Sequence, residues 1–376
     1  MKIAVLRETQ PHERRVAATP ETVKKFIGLG AEVAVEAGAG LSASIADADF
    51  AAAGAAVADR AGALAGAAIV LKVQKPAPDE ITALPRGCVL VSTLDALTAR
   101  DLMQQLADHG VTAMAMELMP RITRAQSMDV LSSQSNLAGY KAVLDAASEY
   151  GRALPMMMTA AGTIPAARVF IMGVGVAGLQ AIATARRLGA IVSATDVRLA
   201  TKEQIESLGA KAIFVEKVKG IEGEGTGGYA TEMSDEYKAA QAELIASHIP
   251  KQDIVITTAL IPGRPAPRLV SAAMVAAMRA GSVLIDLAVE SGGNVEGSIA
   301  GEVVTTANGV KIVGHRNVPS RLAADASALY ARNLFTFVST FWDKETKAPK
   351  WPADDEIIAG ITVTRDGAIV HPRLVG

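Results

Sequence analysis

The stretch Gly173-Val174-Gly175-Val176-Ala177-Gly178 limits what this chain can fold into more than any other feature. The pattern G-x-G-x-x-G is weak alone. Here it follows the near-continuous apolar run Arg168-Val169-Phe170-Ile171-Met172, of the kind a buried parallel strand has, and it opens an Ala-rich amphipathic stretch. A second apolar run, Ile191-Val192-Ser193-Ala194-Thr195, ends in Asp196, 18 residues after Gly178. Strand, glycine turn, helix, strand and acid in that register make the fingerprint of a dinucleotide-binding sheet. Gly173 allows the tight turn, Gly175 lets the backbone approach a pyrophosphate, and Gly178 lets helix and strand pack closely. The helix N-terminus offers N–H groups and the positive end of its dipole to phosphate. Asp196 accepts a hydrogen bond from the adenosine ribose and repels a 2′-phosphate, so the pattern favours NAD(H). Arg198 is a counter-signal, because an arginine near the acid accommodates NADP(H).

Around this motif short apolar runs alternate with Ala-rich amphipathic stretches, the order of an α/β protein with parallel sheets. Toward the N-terminus strands are expected near Lys2–Leu6, Glu32–Glu36, Ala68–Val73, Cys88–Val91 and Thr112–Ala115. Helices are expected over Pro20–Ile27, with Thr19 as N-cap, and over Ala99–His109, closed by Gly110. A long helix from Ser133 or Ser135 to Gly151 leads into a second region. There strands over 168–172, 190–195, 211–215, 253–257, 282–286 and 310–313 alternate with helices over 176–188, 201–208, 234–248 and 270–278. Glu216–Gly228 has no periodicity and reads as a flexible loop. A second long helix, Arg321–Phe341, crosses back, and Thr362–Val370 reads as a hairpin turning on Asp366-Gly367. With 376 residues, two Rossmann-like domains are expected. One comprises 1–135 plus 340–376. The other, 136–339, binds the dinucleotide and carries the two long linking helices at its ends, with the NAD cleft between the domains.

Bulk properties exclude several classes. A net charge of −2 gives no field for nucleic acid, and 4% aromatic residues give no base-stacking surface. The single cysteine, Cys88, and five scattered histidines argue against a disulfide or a zinc site. No apolar run reaches the ~20 residues of a membrane helix, and the N-terminus lacks a signal-peptide core, so a cytoplasmic chain with no direct membrane insertion is expected.

The densest polar segment is Arg121-Ile122-Thr123-Arg124-Ala125-Gln126-Ser127-Met128-Asp129-Val130-Leu131-Ser132 and the residues after it. Arg121, Gln126, Asp129 and Ser132 are groups able to hold a carboxamide and a ribose; a solvated linker with helix caps fits the same composition. Among sheet-end loops, Thr258–Gly263 places Leu260 where a dinucleotide or ordinary core packing would use it. Asp286 and Glu290 read equally well as functional or structural.

Taken together, Ala115–Ile122, Arg124-Ala125-Gln126-Ser127-Met128-Asp129, Ser132–Tyr140, Gly173–Gln180 and Thr258–Gly263 resemble the NAD(H)-binding component of proton-translocating nicotinamide nucleotide transhydrogenase, in the separate-chain bacterial form of its alpha subunit. The resemblance runs over essentially the whole chain, and Arg-Ala-Gln-Ser-Met-Asp is its most specific string. It implies that Arg121, Gln126, Asp129 and Ser132 line the nicotinamide end as the catalytic set, with Ile122, Thr123 and Arg124 beside them. It implies that Asp196 is the adenosine-ribose acid, with Val197 and Arg198 beside it in the cofactor site, that Val176, Gly228 and Leu260 contact the dinucleotide alongside Gly173, Gly175 and Gly178 of the turn, and that Tyr229 sits on a mobile loop. It further implies NADP(H) on a partner subunit. The partners it implies are the membrane-spanning remainder of the split alpha subunit and the membrane-spanning beta subunit of transhydrogenase. A homodimer and a peripheral position on the cytoplasmic face of the inner membrane belong to the same resemblance.

Alanine dehydrogenases share the fold and are the rival; Arg15-Val16-Ala17 and Leu71-Lys72-Val73 occur in both families. The dehydrogenases carry a catalytic Lys where this chain has Gln74, a catalytic His where it has Asp95, and an Asp where it has Glu290. Lys75 adjoins Gln74, but neighbours on a strand face opposite sides. Oxidising an amino acid needs a general acid/base and a cation, whereas hydride passing between two nicotinamides needs positioning and exclusion of water. A module that binds NAD without catalysis is the other alternative.

Overall fold

A computed structural model describes residues 1–215, 233–261 and 263–375. The chain divides into two compact units, residues 1–134 with 319–376, and residues 135–318.

Unit 1 is built on a sheet of eight strands among the described residues. Six are parallel, in the spatial order Ala56–Ala58, Glu32–Glu36, Lys2–Val5, Ala67–Leu71, Val89–Ser92, Thr112–Ala115. Strands Thr362–Arg365 and Ala368–Ile369 extend the sheet antiparallel beyond Thr112–Ala115. Their turn places Asp366 at φ 51° and Gly367 at φ 77°, the left-handed pair a two-residue hairpin needs. The helix Pro20–Gly28 starts where Thr19 accepts from the Thr22 N–H. Its Val23 and Phe26 enter the core, with the Phe26 ring edge-on to Phe335 at 5.1 Å.

The second long helix, Ala323–Thr340, counts with unit 1, where the expected boundary gave it to the other domain. Tyr330, Leu334 and Phe337 are fully buried in the unit 1 core, and Tyr330 Oη donates to the carbonyl oxygens of Lys72 and Val73 at 3.0 and 3.3 Å. Apolar periodicity showed a buried face but not which sheet it covers.

Unit 2 has a seven-stranded sheet among the described residues, in the order Lys211–Ala212, Ile191–Thr195, Arg168–Met172, Ile254–Thr257, Val283–Asp286, Lys311–Val313, Val303–Thr305. All pairs are parallel except the last. The chain runs outward from Arg168–Met172 on one side, then returns to build Ile254–Thr257 on the other. The crevice at this reversal, beyond the carboxyl ends of those two strands, is where open α/β sheets bind ligands. The edge strand Val303–Thr305, the short strand Ala56–Ala58 and an exposed hairpin over Met157–Thr159 and Gly162–Ile164 had no legible sequence signal.

Candidate dinucleotide site

The glycine turn lies at the reversal point. Gly173 ends its strand with φ +98° and donates its N–H to Thr195 O at 2.9 Å. A Cβ at Gly178 would lie 1.9 Å from Gly173 O, so the helix Val176–Arg187 starts against the turn at a distance only glycine permits. Among the described residues, a Cβ at Gly175 would meet nothing within 4 Å, so the backbone is open to close approach there. Val176 and Leu260 stand 39% and 42% exposed on the turn and on the loop after the neighbouring strand. These features fit the cofactor that the motif implies.

Asp196 is buried at the end of Ile191–Thr195, where its Oδ2 accepts the Val174 N–H at 2.7 Å. Arg198 lies against it, with Nε on Oδ1 at 2.9 Å and Nη2 on Oδ2 at 3.0 Å, and Val197 is half-buried between them. The acid and its arginine are thus an ion pair.

Three contributors carried too little sequence signal to single out. Thr258 Oγ1 donates to Gly173 O at 3.0 Å and locks the neighbouring loop to the turn. Fully buried Asn294 accepts the Ala259 N–H at 3.1 Å and donates Nδ2 to Ala259 O and Pro267 O at 2.9 and 2.8 Å, standing in for a missing strand partner. The long helix Val130–Tyr150 passes so close that a Cβ at Gly139 would lie 2.0 Å from Ala177 O. Asp286 has a scaffold role: it accepts the N–H groups of Ala288, Asn294 and Val295 at 3.0–3.2 Å. Glu290 accepts the Asn317 N–H at 2.8 Å. Gly228, Tyr229 and the loop expected over Glu216–Gly228 lie outside the described residues.

The polar segment belongs to unit 1. Thr123–Met128 is a 3₁₀ helix anchored by buried Ala125 and Met128, while Asn333 Nδ2 donates to Ser127 O at 2.8 Å. Arg121, Thr123, Arg124 and Gln126 are exposed, and Ile122, Asp129 and Ser132 are half-buried. The following helix begins at Val130 rather than at Ser133 or Ser135, because Asp129 supplies the cap: it accepts the Ser132 N–H at 3.0 Å and the Ser132 hydroxyl at 2.5 Å. Ser133 instead donates to Asn333 Oδ1 at 2.8 Å. Arg124 forms a bidentate pair with Asp355.

Gln74 and Lys75 lie past the end of strand Ala67–Leu71, so strand alternation does not govern them. They diverge all the same. Gln74 Nε2 donates to Glu13 Oε2 at 3.0 Å, and Lys75 pairs with exposed Asp95 at 2.9 Å. Glu13 also grips Arg15, which reaches Gln134 Oε1 at 2.8 Å.

Residues 4–138 match the profile of the alanine dehydrogenase/PNT N-terminal domain, and residues 142–372 that of its C-terminal domain. A separate-chain NAD(P) transhydrogenase alpha-subunit component of Rhodospirillum rubrum is 58% identical, over 100% of this chain and 99% of that one. The chain belongs to the NAD(P) transhydrogenase alpha-subunit family. The solved transhydrogenase from Sinorhizobium meliloti is similar to this alpha-subunit homologue at 54% identity and TM-score 0.90, covering 98% of this chain and 100% of that one. The alanine dehydrogenase of Halomonas elongata stands further off, 30% identical over 99% of this chain and 95% of its own length. Transhydrogenase family membership makes the chain an NAD-binding oxidoreductase component of a multi-subunit assembly. Among its described residues, no helix is long and apolar enough to cross a membrane.

Proposed function

We propose that this chain is the NAD(H)-binding component of a proton-translocating transhydrogenase. Bound NADH supplies a hydride from C4 of its nicotinamide, and NADP+ held by a partner subunit accepts it. The residues of this chain bind, orient and exclude water. The glycine turn takes the pyrophosphate on the N-terminus of Val176–Arg187, Asp196 takes the adenosine ribose, and Val197, Val176 and Leu260 supply apolar contact. Arg121, Gln126, Asp129 and Ser132 position the nicotinamide, with Ile122, Thr123 and Arg124 beside them. Gly228 and Tyr229 complete the contact set. The same reading makes the chain a homodimer at the cytoplasmic face. There it is held peripherally by the membrane-spanning remainder of the alpha subunit and by the beta subunit, through which protons move.

One observation carries the choice over amino-acid dehydrogenation. Where alanine dehydrogenases carry their catalytic Lys and His, Gln74 is spent on Glu13, and Asp95 is ion-paired with Lys75. Gln74 cannot ionise and Asp95 puts a paired carboxylate where the imidazole would be, so the Lys/His pair that amino-acid oxidation uses is missing, and transfer between two nicotinamides needs no such pair. The test is an assay of the isolated chain with alanine and NAD+, and with pyruvate, ammonia and NADH. No turnover is expected; steady NADH formation or consumption would return the chain to the dehydrogenase reading.

A further inference from the structure

The carboxylate of Asp196 has no acceptor site left. An ionised carboxylate offers about four lone-pair sites, two on each oxygen. Oδ1 accepts the Arg198 backbone N–H and Arg198 Nε, both at 2.9 Å. Oδ2 accepts the Val174 N–H at 2.7 Å and Arg198 Nη2 at 3.0 Å. The two backbone donors come from the glycine turn and from the segment leaving the strand, and they fix where the acid sits. The other two come from one guanidinium, gripping the carboxylate as a bidentate fork. Its Nη2 also donates to Val174 O at 3.2 Å, which ties the arginine to the glycine turn itself. Both side chains are buried, at 7% and 8% exposure.

A ribose diol presents two adjacent O–H donors to a carboxylate, much as the fork presents two N–H donors. Both cannot use the same two acceptor sites. We infer that Arg198 is a built-in stand-in for the adenosine ribose: it occupies the sites on Asp196 that the diol takes, and NAD(H) binds only as the guanidinium swings out. This rests on the dinucleotide reading of the turn given above.

The device has a physical reason. A buried carboxylate stripped of its cation is strongly destabilising, so an empty site with a bare Asp196 would weaken the domain. Arg198 neutralises the acid until a ligand replaces its hydrogen bonds. The arrangement also weakens apparent affinity by the fraction of molecules in which the arginine is out. The displaced cation, two residues from the acid, stays near the 2′ position and softens the exclusion of a 2′-phosphate. Arg198 is therefore a specificity-determining residue acting in both directions, holding back NAD(H) and tolerating NADP(H).

The experiment combines calorimetry with NMR of the arginine Nε–H resonance on the full chain. NADH and NADPH are titrated into the unaltered protein, Arg198→Ala and Arg198→Lys. Arg198→Ala is expected to tighten NADH by about three- to tenfold, as for a binding-competent state populated at about 10–30%, without tightening NADPH. Arg198→Lys, which keeps the charge but cannot form the fork, is expected to fall between. In the unaltered protein 5′-AMP should shift the Arg198 Nε–H resonance, and 2′,3′-dideoxy-AMP, which lacks the diol, should not. This arm stands even if a variant folds poorly. Weaker NADH binding in both variants, or an Arg198 signal unmoved at saturating NADH, overturns the inference and leaves the dinucleotide reading intact. Failure of the unaltered chain to bind NADH at all overturns that reading, and the inference with it.

Discussion

The ion pair of Asp196 makes a substitution there more than the loss of one ligand contact. Asp196→Ala removes the proposed ribose acceptor and strands a buried guanidinium. NADH binding should weaken by about 1.5–3 kcal/mol, the range for hydrogen bonds to charged groups, and thermal stability should fall with it. Calorimetry and a melting curve check both; unchanged NADH affinity would contradict the assigned role. That the acid lies beside the glycine turn was legible from its spacing after Gly178. That Arg198 fills its acceptors was not, because a pair between residues two apart depends on how the chain turns after the strand. A second residue-scale test concerns Glu8. Burial pushes its carboxyl up to about 7, against the opposing pull of Lys72 Nζ at 3.4 Å and of the Val73 N–H at 2.6 Å. The folded chain therefore holds this proton more tightly than the unfolded one, whose carboxyl titrates near 4.5. The stabilisation is complete below that value and is lost as pH rises through about 7. Glu8→Gln cannot ionise, so its stability relative to the parent should rise across that window in urea melts. A pH-independent difference would show that Glu8 is not the group titrating.

Elements were more legible than their junctions. The parallel strands and the helices after them followed from apolar runs and caps, Thr19 and Asp366-Gly367 among them. The long helix starts at Val130 rather than at Ser133 or Ser135, because both serines can cap on paper and only the fold shows Asp129 holding the Ser132 N–H. Gly139 shows the same limit. Within a helix, Gly→Ala ordinarily stabilises by about 1 kcal/mol. Here a Cβ would lie 2.0 Å from Ala177 O, so Gly139→Ala should instead push the long helix off the first turn of Val176–Arg187. It is expected to lower the melting temperature and weaken NADH binding, although Gly139 has no assigned ligand contact. A gain in stability would show that the contact relaxes freely. Asn294 acts on the other wall. Asn294→Ala leaves Ala259 N–H, Ala259 O and Pro267 O without its side chain, at about 1–3 kcal/mol for each buried group left unpaired. NADH affinity should fall as the Leu260 loop loosens, measurable by titrating NADH fluorescence; wild-type affinity would place the loop outside the site.

For the whole molecule, length and the alternation of elements implied two α/β units, and the two parallel-stranded sheets are there. The polar segment that carries the functional claim lies in one unit and the glycine turn in the other, so no local pattern joins them; only the family resemblance does. The central claim is that this chain hands hydride directly to NADP+ on another subunit. The most direct measurement assembles it with the membrane-spanning remainder of the alpha subunit and with the beta subunit, and supplies NADH carrying deuterium at both C4 positions together with NADP+. Mass spectrometry of the NADPH formed then reports the label. The account predicts deuterium at C4 of NADPH, with none lost to water, and a large fall in single-turnover rate for Gln126→Asn at little change in NADH affinity. Unlabelled NADPH, or no NADPH at all with every subunit present and NADH bound, would contradict it.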